Sequence, residues 1–196
     1  MSHTFKAGTV TGTPYADTGG GTITVEQDAY VVMDTNANAL DLSDGPWTVT
    51  VNGTVENDFD DTAAIRMHAH ENKVNAKITI GTEGTVYDLG FASTAIFLSQ
   101  ATDIVNSGLI HGGAFAIYTD TVSAGHKYAI TNNTTGSILA ADDVVRDDQD
   151  TTLTVTNAGD IEAGQHAIYR LGLGTTMLTN TGSISGNIVL AEARTR

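Results

Sequence analysis

The sequence predicts an all-β fold: a single-stranded right-handed parallel β-helix, or β-solenoid, of about seven irregular coils. Three observations predict it. A short phrase ending on an apolar residue recurs along the chain. A second phrase follows each copy in fixed order. The composition, rich in Gly, Thr, Asn, Ala and Val with only 2 prolines, suits strands and tight turns better than long helices.

The first phrase reads NSGLI at 106–110, NAGDI at 157–161 and NTGSI at 180–184. NNTTGSI at 132–138 is a longer copy, VNGTV at 51–55 is the same phrase reduced, and GTEGTV at 81–86 keeps the glycine and the apolar end. The apolar ends are Val55, Val86, Ile110, Ile138, Ile161 and Ile184, spaced by 31, 24, 28, 23 and 23 residues. Val32 stands 23 residues before Val55 and is expected to begin the array. The second phrase reads AIRM at 64–67, AIFL at 95–98, AIYT at 116–119 and AIYR at 167–170, with ALDL at 39–42, DVVR at 143–146 and NIVL at 187–190 as looser copies.

Each coil therefore reads as a strand, an Asn-x-Gly turn, a strand, a variable loop and a strand, in segments too short and too β-branched for helices. The glycine is expected to supply positive φ in the turn. Strands stack about 4.8 Å apart, so equivalent residues of successive coils lie above one another and about seven coils span about 35 Å. Val55, Val86, Ile110, Ile138, Ile161 and Ile184 are expected to form one inward ladder, and Ile65, Ile96, Ile117, Val144, Ile168 and Ile188 a second. Burial of each contributes about 1.5–3 kcal/mol. Asn106, Asn132, Asn157 and Asn180 are expected to stack as an amide ladder that satisfies the turn backbones. Insertions fall in loops on the outside, where they cost little.

The 196 residues make one domain: 1–22 an N-terminal cap or flexible lead, 23–190 the coils and 191–196 a tail. Trp47 is expected to pack under a loop between two early strands. Hydrophobic residues make up 40 % and charged ones 16 %, which excludes intrinsic disorder. The net charge of −14 argues against nucleic acid and anionic membranes as partners. With no cysteine there is neither a disulfide nor a thiolate metal site. No apolar run is long enough to insert in a membrane as a helix, and the N-terminal segment has no apolar signal region. The last copy, SISGNIVLAEARTR, stops soon after its strand, so either AEARTR turns over the edge, or the edge meets another chain end to end, or the natural protein continues into further repeats, the last being expected first.

On these phrases, T-N-x-G-x-I and A-I-Y over residues 23–190, the chain resembles the repeats of autotransporter passenger domains and the β-helical stretches of hemolysin-type exported bacterial proteins. The resemblance implies a secreted or cell-surface location. The glycine-rich calcium-binding nonapeptide of hemolysin-type proteins has no counterpart here, nor does the autotransporter's membrane barrel.

Three patches could carry chemistry. Alternation in the second phrase places Arg66, Phe97, Tyr118, Val145 and Tyr169 in one outward column, where Phe97, Tyr118 and Tyr169 could stack on sugar rings. The adjacent column holds Met67, Leu98, Thr119, Arg146 and Arg170, and the two arginines there could grip a carboxylate. The acids Asp142, Asp143, Asp147, Asp148 and Asp150 flank one strand and could gather Ca²⁺, the one possible cofactor; none is required. Asp58, Asp60 and Asp61 form a second acidic loop, and His68 and His70 share one side of a strand. No nucleophile elbow, phosphate loop or dinucleotide fingerprint is present. The function expected first is a non-catalytic structural or adhesive module of a secreted or surface protein. The second is a carbohydrate-binding or polysaccharide-degrading β-helix, with polysaccharide or a host cell surface as partner.

Overall fold

The computed structural model describes residues 1–69, 75–120 and 125–190, and over them the chain is a parallel β-solenoid of about seven turns without a helix. One face is an eight-stranded sheet: Ser2–Phe5, Gly21–Val25, Trp47–Val51, Ala76–Ile80, Thr102–Asn106, Lys127–Asn132, Thr152–Asn157 and Thr175–Asn180. The second face stacks Val10–Thr11, Tyr30–Met33, Thr54–Asn57, Thr85–Asp88, Leu109–Gly112 and Ser137–Ala140. The third stacks Tyr15–Thr18, Leu40–Ser43, Ala63–Met67, Thr94–Leu98, Phe115–Thr119 and Asp143–Asp147. Asp160–Arg170 runs unbroken round the corner between the second and third faces, and Ser183–Val189 follows it on the next turn.

Side chains alternate across each strand, so every second residue meets its equivalents in the lumen. On the second face Val31, Val55, Val86, Ile110, Ile138, Ile161 and Ile184 stand in register. All but the last are fully buried, and Ile184 packs against the core from the open end. The ladder begins at Val31, not Val32; Val32 faces outward beside Glu56. Both valines are apolar, so spacing alone placed the start one residue late.

The same ambiguity displaces the third face by one residue in one coil. Its lumen ladder is Leu40, Ile65, Ile96, Ile117, Val145, Ile168 and Ile188. Val145 replaces the expected Val144, which occupies the buried column otherwise filled by Ala64, Ala95, Ala116 and Ala167. Two or three successive residues are buried where the chain enters this face, so strict alternation fails there.

The amide ladder is present. Each Nδ2 donates to the next Oδ1 at 2.8 Å, from Asn106 to Asn132, from Asn132 to Asn157 and from Asn157 to Asn180. Each also donates to the carbonyl of its own turn glycine, Gly108, Gly136, Gly159 or Gly182. In earlier coils the same column holds Val25, Val51 and Ile80. Truncation in mid-ladder, Asn132→Ala, removes one acceptor of Asn106 Nδ2 and the donor to Asn157 Oδ1 and to the carbonyls of Gly136 and Asp160. It is expected to lower stability by about 2 kcal/mol, read from the urea midpoint at unchanged slope.

The turn glycines serve a purpose other than the expected one. Gly108, Gly136, Gly159 and Gly182 are not among the residues with positive φ. A Cβ at Gly159 would instead fall on the carbonyl oxygens of Gly136 and Asn133 in the coil below. Close stacking of turn on turn therefore demands glycine.

The segment expected as a cap or lead holds the strands of a first coil, paired in parallel with the second. Its rings cluster, with His3 4.5 Å from both Phe5 and Tyr15, and they line a depression of about 550 Å³ that extends to Thr11 and Pro14. Trp47 starts a strand of the first sheet and lies in the core, its Nε1 donating to the Ser43 carbonyl at 3.1 Å. The tail 191–196 lies outside the described residues.

Candidate functional site: the outer column of the third face

The third face carries Asp41, Arg66, Phe97, Tyr118, Arg146, Tyr169 and Val189 in register on its outer side. Phe97, Tyr118 and Tyr169 thus share one outward column, and the residue between Tyr118 and Tyr169 is Arg146, not Val145. Parallel in-register stacking sets these groups one strand apart, so they pack on one another. The Arg66 guanidinium lies over the Phe97 ring at 4.8 Å, and Phe97 meets Tyr118 edge to face at 5.1 Å. Arg146 lies over Tyr169 at 5.1 Å and over Phe115 at 5.3 Å. Each such cation–π contact is worth about 0.5–1 kcal/mol at a part-exposed site.

Acids complete the column. Arg146 reaches Asp148 at 3.2 Å and Asp143 at 3.5 Å. Burial works against the Arg146 charge, but Asp148 and then Asp143 outweigh it and hold the guanidinium above its ordinary range. Tyr118 donates to Asp148 at 3.1 Å. Burial, then the charge of Asp148, pushes the Tyr118 hydroxyl up to about 12, so it stays protonated at neutral pH. His166 pairs with Asp143 at 2.7 Å while its ring packs 4.7 Å from Tyr169. Further along the column Asp41 pairs with His68 at 2.5 Å; His70 lies outside the described residues.

The two arginines expected side by side lie on opposite sides of the sheet. Arg170 points into the lumen in the column of Met67, Leu98, Thr119 and Asp147, and only 2 % of it is exposed. The slip from Val144 to Val145 carries Arg146 outward and puts Asp147 inside. Arg170 Nη2 lies 3.4 Å from the fully buried Asp147. Its guanidinium also donates to the carbonyls of Thr151 and Thr175 and to Thr176 Oγ1. Asp147 accepts from Thr119 Oγ1 at 2.9 Å, Thr151 Oγ1 at 2.6 Å and the Gln149 N–H at 3.1 Å. This is an internal polar plug of the last coils.

The five acids are likewise divided. Asp147 is internal, and Asp143 and Asp148 flank Arg146. Asp142 accepts from Gln165, and Asp150 from the Leu173 N–H. Among the described residues no group of three or more His, Asp or Glu side chains converges.

One contributor, Phe115, was not singled out from the sequence, and Arg66 was placed in the column without a role. Phe115 stands before the second phrase and faces outward because Ala116 and Ile117 are both buried. The recurrent small Ala before each Ile is the signal that could have shown this break in alternation. Arg66 has no ion-pair partner among the described residues, and its Nε is buried without a hydrogen bond. It borders a shallow depression of about 140 Å³ lined by Asn38, Thr62, Thr94, Phe97, Phe115 and Tyr118.

No protein-family model, curated protein or solved structure matches the chain.

Proposed function

We propose that the chain is a non-catalytic structural and adhesive module, a short stiff solenoid of a secreted or surface protein. The observation that carries this reading is the self-saturation of its outer column. The groups with chemical potential there are engaged with one another: Arg146 with two acids and two rings, Tyr118 with Asp148, and His166 with Asp143. Charges and rings paired in this way stiffen a stacked sheet and leave few groups for a substrate. The adhesive part of the reading is supported by the corner before the third face. There Phe59, Leu89 and Phe91 stand exposed on adjacent loops, held by the bond from the Phe91 N–H to Asp60.

A second reading, carbohydrate binding, is favoured by Arg66, which has no ion pair among the described residues and stands beside the rings of Phe97, Phe115 and Tyr118. An array of neutral and acidic oligosaccharides probed with the labelled protein separates the two readings. The expected result is no binding above a protein blank. Binding to one sugar class that vanishes in Arg66→Ala and Phe97→Ala would replace the structural reading with the carbohydrate one.

A further inference from the structure

The first sheet differs from the other two faces on its outer side. Its eight strands stack without a register shift, so each outward residue stands over its equivalent in the next coil. One outward column is Thr in every strand, from Thr4 and Thr24 through Thr131 to Thr179, except the fifth. There Val105 keeps the branched shape without the hydroxyl. Two residues earlier on each strand a second outward column begins Ser2, Thr22 and Thr48 and returns to Thr154. The pattern T-x-T thus recurs at 22–24, 48–50 and 154–156. The only charges in these two columns, Lys77 and Asp103, stand in register with opposite signs, in a chain of net charge −14. Among the described residues none of the threonine hydroxyls in either column has a hydrogen-bond partner.

Strand propensity alone does not produce such a column. Thr suits any exposed strand, yet the outer column of the second face holds Val32, Glu56, Tyr87, His111, Leu139 and Glu162. That of the third face mixes acid, arginine and rings. β-Branched side chains are stiff at χ1, so the first face is a preset array of hydroxyls and methyls. The array repeats about every 4.8 Å from coil to coil and about every 6.6 Å along each strand, over a length of about 34 Å. Each hydroxyl can donate one hydrogen bond and accept two. Each methyl restrains the orientation of the water beside it. Away from Lys77 and Asp103 no strongly hydrated charge interrupts either column.

We propose that the outer face of the first sheet is a binding site for ordered water, and that its ligand is the surface of an ice crystal. Ice is a neutral lattice of hydrogen-bond donors and acceptors that repeats on the same few-ångström scale as this array. A small molecule would meet only one or two coils, whereas a lattice meets them all. Because the array is rigid before contact, little freedom is lost on binding and weak contacts from successive coils add. A crystalline polysaccharide fits less well: ligand sites of that kind are lined with aromatic groups, and neither column carries a ring. This ligand goes beyond the adhesive reading above and engages none of the third-face residues on which the carbohydrate reading depends.

The test is partition into ice. A seeded ice front is grown slowly through a dilute solution of the full chain and serum albumin, and each protein is measured in the ice and in the remaining liquid. The expected result is enrichment of this chain in the ice and exclusion of the albumin. Thr131→Lys and Thr156→Lys each set a strongly hydrated charge on the column and should abolish the enrichment. Their urea midpoints should match the wild type; Thr156 is exposed, so Thr156→Lys carries the test if Thr131→Lys unfolds. His111→Lys places the same charge on the second face and should leave the enrichment intact. Exclusion of the wild type from ice would overturn the proposal, as would an enrichment that both first-face lysines leave unchanged or that His111→Lys abolishes as fully. Retention on crystalline cellulose by a chain excluded from ice would overturn it in favour of a polysaccharide surface. Ice partition and the oligosaccharide array read different faces of the solenoid, so this inference and the function proposed above fail separately.

Discussion

Asp147→Ala is expected to cost the fold about 3–5 kcal/mol, because it leaves the Arg170 guanidinium charged, buried and without its counter-ion. The loss is more than one ion pair. Thr119, Thr151 and the Gln149 N–H all lose their acceptor in the same step. The fold itself indicates how the damage can be undone. Three and four coils before Arg170 the same lumen column holds Leu98 and Met67, with no charged group between them and no polar contact beyond the Thr102 hydroxyl on the Met67 sulfur. The double variant Asp147→Leu, Arg170→Met should therefore recover most of the lost stability, since removing both members of a buried pair is often neutral or better. Urea unfolding of the single and double variants measures both numbers. A double variant as unstable as the single would mean that the bonds from Arg170 to the carbonyls of Thr151 and Thr175, and not its charge pairing, hold the last coils.

That plug shows where reading from sequence stopped. The ladders on Val55, Val86 and Ile110 were legible because apolar residues recur at a fixed place in a repeated phrase, and stacking makes such recurrence visible. The amide ladder was legible for the same reason: Asn106, Asn132, Asn157 and Asn180 each precede a turn glycine. Register failed where two apolar residues adjoin, at Val31–Val32 and at Val144–Val145, since hydropathy alone cannot choose between them. The second slip mattered, because alternation carries every later side chain of that strand to the other face. Arg146 and Arg170 were thus read as neighbours although one faces solvent and the other the lumen. The mutual packing of Phe97, Tyr118 and Arg146 was out of reach for a different reason. A shared column is a property of the strand pattern, but which groups satisfy one another depends on side-chain direction.

The pH dependence of stability is expected to turn on Asp88. This carboxyl is fully buried at the end of a second-face strand, in register with Asn57. Burial pushes it up to about 6, with hydrogen bonds from its neighbours partly offsetting the effect and Asp58 adding to it. In the unfolded chain it titrates near 3.8. Below that pH both states hold the proton and the fold has its full stability. As pH rises from about 4 to about 6 the unfolded chain gives up the proton first, and stability falls by up to about 3 kcal/mol. Asp88→Asn removes this dependence. The amide suits the site: the Gly90 N–H, 3.2 Å from Asp88 Oδ1, can be met by its oxygen, as Asn57 meets the Phe59 N–H one coil earlier. Thr62 has a single hydroxyl hydrogen, and with that given to the Phe59 carbonyl at 2.6 Å its oxygen can accept from the new amide. The variant should match the wild type at pH 4 and exceed it at pH 8, with a higher melting temperature. Equal stability of the two proteins at pH 8 would mean that Asp88 sits comfortably ionised in the fold, its charge held by Thr62 and the Gly90 N–H.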